Sequence, residues 1–193
     1  MKSHFGIYDF LSLIFAPQIS PAYWFLLLYI RGGTILSVAI AITFSSLIQT
    51  CALLVYAKTS NAGFYVADKE KRLPLFIISI SAYIIGFVLL EVTASPFIFR
   101  VLMLAYVINT IIAALITKYL TKVSIHTWGI SGPSVALLYA YGSYAFIGML
   151  ALSLIVGYSR IKVGAHDIKQ VVSALAISVL ITIFVIYVIG RYI

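Results

Sequence analysis

The residues best suited to chemistry in this chain are two histidines that stand beside basic side chains. They occur in Lys118-Tyr-Leu-Thr-Lys122-Val-Ser124-Ile-His126-Thr127 and in Ser159-Arg160-Ile-Lys-Val-Gly164-Ala-His166-Asp167-Ile-Lys-Gln170. An imidazole serves as nucleophile or as general acid near neutral pH. Arginine offers a planar fork for phosphate oxygens, and a helix N-terminus adds backbone N–H donors. Two imidazoles, an arginine and two lysines converging at one place describe a site for an anionic phosphate group. Gln170 follows His166 by four residues and shares its helix face. Its carbonyl is placed to accept from the ring and orient it. Asp167 lies about 100° further round that helix and suits the positive helix N-terminus instead.

The elements that must position these groups are set by hydropathy. Of the 193 residues, 63% are hydrophobic and only 9% charged, where a soluble domain carries roughly a quarter. Lipid must therefore be the solvent for most of the surface. The apolar runs are about 18 to 24 residues long and unbroken, which fits helices and not the short alternating strands of a barrel. The expected fold is all-α, an integral membrane bundle of about six transmembrane helices preceded by an N-terminal interfacial helical segment. The spans fall near Thr34–Tyr56, 74–91, Phe97–Thr117, 127–141, 143–159 and Asp167–Ile189. Residues 127–159 are divided at Gly142-Ser143 into two short antiparallel helices, which need tilt or local thinning to cross. A stripe of Ser37, Ala41, Ser45 and Gln49 on the first span favours close packing inside the bundle.

Residues 1–33 form the N-terminal interfacial or re-entrant segment, because Pro17, Pro21 and the Tyr23-Trp24 pair suit the headgroup zone. Residues 34–193 form the six-helix domain. The N-terminus does not read as a cleavable signal, since no small-residue cleavage site leads into a polar chain. His4 reads as an exposed terminal residue. The net charge is +8, but the basic residues sit at the ends of apolar runs, where they anchor the chain and meet anionic lipid headgroups. No basic cluster belongs to a soluble fold, which excludes nucleic acid as a partner. Lys58, Lys69, Lys71, Arg72, Lys118, Lys122, Arg160, Lys162 and Lys169 fall on one side, against Lys2, Arg31, Arg100 and Arg191 on the other. That excess places the histidine side, and with it the site, on the cytoplasmic face. The oligomeric state is not legible.

Ser159-Arg160, five residues, then His166 resembles the third signature of the type 2 phosphatidic acid phosphatase superfamily, SR-x5-H-x3-D. Ser124-Ile-His126-Thr127 is similar to a degenerate form of its second signature, PSGH and a small residue. Lys118, at the end of the third span, matches the start of the first signature, K-x6-RP. The Arg-Pro that should follow is absent, with Lys122 as the substitute cation. The order of the motifs, after spans three and five, fits the family's six-helix core. The resemblance implies that His166 attacks phosphorus to form a phosphohistidine and that His126 protonates the leaving group. Arg160, Lys118, Ser124 and Lys122 would hold the phosphoryl oxygens, with no metal or cofactor. Gln170 stands where the family has an aspartate behind the nucleophile; it holds the tautomer but supplies no charge. The comparable aspartate-to-amide change in a serine-protease triad costs about 10⁴ in rate.

The function expected is a metal-independent membrane phosphatase hydrolysing a lipid phosphate or diphosphate, polyprenyl or phosphatidate-like, with a membrane lipid as its substrate partner. The alternatives are a non-catalytic lipid-phosphate binder and a lipid or ion transporter. A transporter calls for charged or broken-helix features near mid-membrane, and no intramembrane carboxylate is evident: Glu91 lies close to a span end.

Overall fold

The computed structural model describes residues 6–60, 66 and 70–193. His4, Lys2, Asp68 and Lys69 lie outside the described residues, and so do the expectations attached to them. The described residues are helical, with no strand among them. Two helices occupy the N-terminal segment, α1 (Ile7–Ile14) and α2 (Ser20–Ile30). Then follow α3 (Ile35–Ile42), a π-helical turn over Thr43–Leu47 and α4 (Ile48–Thr59), a continuous helical rod. After the basic loop come α5 (Leu73–Val92), α6 (Phe97–Tyr119), α7 (Ile125–Tyr141), α8 (Ser143–Lys162) and α9 (Ile168–Tyr187).

Five segments are long and apolar enough to cross a membrane: Ile35–Thr59, Leu73–Val92, Phe97–Tyr119, Ser143–Lys162 and Ile168–Tyr192. The chain is therefore a multi-pass membrane protein. The helix expected as the fourth of six spans, α7, has 17 residues, a length of about 25 Å against roughly 30 Å of hydrocarbon. It makes up for its shortness by centrality. Gly129, Gly132 and Pro133 keep its surface slim, most of its residues are buried, and α8 and α9 pack along it.

Of the two N-terminal helices, α2 packs one face against the bundle and leaves Leu26, Leu27, Tyr29 and Ile30 exposed on the other. Trp24, Phe25 and Leu28 are buried, and Phe25 meets Phe99 and Tyr106 of α6. Trp24 Nε1 donates to Gly129 O near the start of α7, while Arg31 Nε donates to Ala140 O near its end. α2 thus runs beside α7 in the same direction. α1 stays at the end of the bundle where α7 begins, packed on α8.

Close approach of α7, α8 and α9 depends on Gly157. A Cβ there would collide with Val171 of α9 and press on Thr127 of α7, so only glycine lets α8, which carries Arg160, meet both α7, which carries His126, and α9, whose start His166 precedes.

Candidate functional site

The ends of α6 and α8 and the starts of α5, α7 and α9 come together at one end of the bundle, with α1 beside them. His166 stands in the turn between α8 and α9, and local backbone bonding fixes it relative to Arg160. The N–H groups of Ala165 and His166 both donate to Arg160 O, at 3.0 and 3.2 Å. This wrap requires Gly164, whose φ of 69° is left-handed. Asp167 then caps α9, its Oδ1 accepting from Gln170 N at 2.9 Å. With its carboxylate committed to the helix end, Asp167 leaves the imidazole to Gln170. His166 Nδ1 lies 2.7 Å from Gln170 Oε1. An Nδ1–H donated to that carbonyl leaves the lone pair on Nε2, the tautomer a nucleophile needs.

Around this pair the structure collects Arg160, His126, Lys122 and, from the loop before α5, Arg72. His166, His126, Arg160 and Arg72 are only 4–7% exposed. Among the described residues, the charges acting on Arg72, Lys122 and His166 are cationic and belong to this same group. Burial, and then the neighbouring Arg160, lower the Arg72 guanidinium to about 10. Lys122 is lowered by burial and by Arg72 and Arg160. Its Nζ donates to Ala165 O at 3.1 Å, tying the α6–α7 connection to the His166 turn. His166 is pushed down to about 4, chiefly by burial. The Gln170 contact acts in the opposite sense, and Lys122, Arg72 and Arg160 add to the depression. At neutral pH the ring is neutral and its Nε2 is able to attack. A cluster of mutually repelling cations is unfavourable when empty and becomes favourable around a polyanion.

The residues expected from sequence divide as follows. His126, His166, Gln170, Arg160 and Lys122 come together. Ser124 is buried at the N-cap of α7, two residues before His126, with its hydroxyl paired to Thr127 Oγ1 at 2.9 Å. Lys118 is not brought in. It is exposed on α6 with its ammonium 4.9 Å from the ring centre of Tyr119. Arg72 is the residue that sequence reasoning did not assign. It is anchored by Nε donating to Val66 O at 3.0 Å and Nη1 to Val123 O at 3.4 Å. The available signal was its place two residues ahead of Pro74, which sets a cation in the entry turn of a helix starting on the histidine side.

A cavity of about 130 Å³ begins at Arg72 and His126 and runs into the bundle past Phe76, Trp128, Ala113 and Asn109 to Tyr106 and Leu102. Along α7 it extends from His126 to Pro133, roughly 10 Å. Trp128 Nε1 donates to Asn109 Oδ1 at 2.7 Å and Asn109 Nδ2 to Thr182 Oγ1 at 2.9 Å, while the buried Tyr106 hydroxyl has no hydrogen-bonding partner among the described residues. The remaining wall is mostly aliphatic and aromatic. One end of the space is cationic and the other suits hydrocarbon.

Compared with known proteins, the chain matches no family model, no curated protein and no solved structure.

Proposed function

We propose that this chain is a metal-independent membrane phosphatase that hydrolyses a lipid phosphate or diphosphate, polyprenyl or phosphatidate-like, through a phosphohistidine. It would be a divergent member of the type 2 phosphatidic acid phosphatase superfamily, with α7 crossing as the fourth of six spans and the site on the cytoplasmic face. The observation that carries this reading is the 2.7 Å contact between His166 Nδ1 and Gln170 Oε1, set among Arg72, Lys122, Arg160 and His126. It supports a neutral, oriented nucleophile inside a clamp of fixed cations.

In the proposed reaction the phosphoryl oxygens sit among Arg160, Arg72 and Lys122. His166 Nε2 attacks phosphorus, the bond to the lipid oxygen breaks, and His126 in its protonated form gives that oxygen a proton. Neutral His126 then takes a proton from a water that attacks the phosphohistidine, which releases phosphate and restores His166. The clamp stabilises charge on the transferring group without reorganising during the step. The lipid chain occupies the cavity that starts at Arg72 and His126, which favours a lipid ester over a soluble one.

The test is phosphate release by detergent-purified protein, with EDTA present, from a panel of polyprenyl and glycerolipid phosphates and diphosphates. Release from at least one lipid, lost in His166→Ala, is expected. Absence of release from every lipid refutes the phosphatase reading and leaves a lipid-phosphate binder.

A further inference from the structure

The N-terminal helix reaches the site. Ser12 of α1 is wholly buried, and its Oγ lies 3.3 Å from the Oγ of Ser159, the residue preceding Arg160. Tyr8 of the same helix meets Tyr158 edge to face with ring centres 6.1 Å apart. Beyond α1, Ala16 and Pro17 line the cavity with His126. Pro17 also sits against Gly129, which follows His126 by three residues and shares its face of α7.

Two unmatched polar groups belong to this corner of the bundle. His126 is buried, and among the described residues neither ring nitrogen has a hydrogen-bonding partner. At the C-terminal end of α1, Phe15 N–H donates to Leu11 O and Ala16 N–H to Leu13 O. Ser12 O, between those two acceptors, is one of the carbonyls that a helix end leaves without an intrahelical donor.

We propose that the Ser12 carbonyl accepts one ring N–H of His126 and thereby positions the other nitrogen as the acid toward the lipid leaving group. Ser12 is a positioning residue, and α1 is a working part of the site, not only a membrane-surface anchor. The helix C-terminus adds its partial negative charge where the imidazolium forms. As the phosphorus–oxygen bond breaks, the imidazolium gives the lipid oxygen the proton on the nitrogen remote from Ser12. The N–H held by Ser12 stays in place, and the ring becomes neutral. This inference rests on the phosphatase reading above.

The experiment compares full-length wild type, Ser12→Leu, His126→Ala and the double variant on an alkyl lipid phosphate and on an aryl phosphate of similar chain length. A leucine at this buried position wedges α1 away from α8 and withdraws the carbonyl. A phenolate leaves without a proton, so in kcat/KM, which ends at departure of the leaving group and excludes the later hydrolysis of the phosphohistidine where His126 acts as base, loss of the acid should matter only for the alkyl ester. General acid catalysis contributes about 10²–10⁴-fold. Ser12→Leu is expected to lose about 10²-fold or more on the alkyl ester and less than about threefold on the aryl ester. The double variant should be no slower than His126→Ala, because both changes remove one function. Equal losses on the two esters, no loss on either, or multiplying losses in the double variant overturn the proposal. Ser12→Val, a smaller wedge, carries the same comparison if the leucine variant does not elute as a single species. Wild type that turns over no lipid of the panel above refutes the phosphatase reading itself, and this inference with it.

Discussion

Replacement of Gln170 separates the two things that its contact with His166 does. The carbonyl holds the ring through a 2.7 Å hydrogen bond, and it partly offsets the depression of the ring to about 4. In Gln170→Leu the volume is nearly kept, but a buried Nδ1–H loses its acceptor. A buried donor left unpaired costs about 1–3 kcal/mol, which corresponds to a fall in kcat of about 5- to 150-fold if the ring must be held to react. Gln170→Glu keeps an acceptor and adds charge. A carboxylate this near raises a partner by about 1–3 pKa units, which would carry His166 from about 4 to about 5–7. The sign follows from the chemistry: a protonated ring cannot attack, so activity falls as pH drops through the pKa of the nucleophile. The acid limb of kcat/KM, which reports the free enzyme, should lie near 4 in wild type and move upward in Gln170→Glu. The assay is initial-rate phosphate release between pH 3.5 and 8 for wild type and both variants, pH range chosen to bracket about 4 and the ordinary histidine value of about 6.5. A wild-type limb near 6.5, an unmoved limb in Gln170→Glu, or wild-type kcat in Gln170→Leu refutes the reasoning.

Two further outcomes are expected. Arg72→Ala should lower kcat/KM by about 10²–10³, the usual cost of removing a donor to developing charge, whereas Lys118→Ala should change it less than about threefold; reversed magnitudes would restore Lys118 to the clamp. Ala113→Phe places a ring in the cavity of about 130 Å³ and should raise KM about tenfold or more for a long-chain lipid phosphate, with little change for a short-chain ester. Equal effects on both chain lengths would mean that the chain binds elsewhere.

How much was legible in the sequence depended on how far apart the interacting residues lie along the chain. The His166–Gln170 pair was expected from a four-residue spacing on one helix face, but His166 stands in the turn before α9, so the Gly164 turn and the Asp167 cap, not helix periodicity, bring the ring to the amide. Asp167 was expected at the helix N-terminus and is its N-cap. The juxtaposition of His126 with Arg160 rested on a motif resemblance, and the folding of α7, α8 and α9 around Gly157 supplies its physical basis. Arg72 was not legible as a site residue because its position depends on where α5 begins relative to α7, a packing relation with no local pattern. Lys118 lies near the end of α6 as expected, but its side chain is exposed with the ammonium over the Tyr119 ring, a placement that residue type and helix position do not determine. The membrane class was plain from hydropathy, while α2, with only 11 residues, gives no length signal that it sits beside α7. Ser12 carried no signal at all, since a backbone carbonyl at a helix end is a property of conformation and not of residue type.

The most direct test of the central claim is capture of the covalent intermediate. Wild-type protein is mixed in EDTA with a lipid phosphate labelled at phosphorus, quenched in alkali, in which phosphohistidine survives, and digested for peptide mapping. The account predicts label on the peptide containing His166 and none in His166→Ala. Turnover without any label at His166, or label unchanged in His166→Ala, would contradict it.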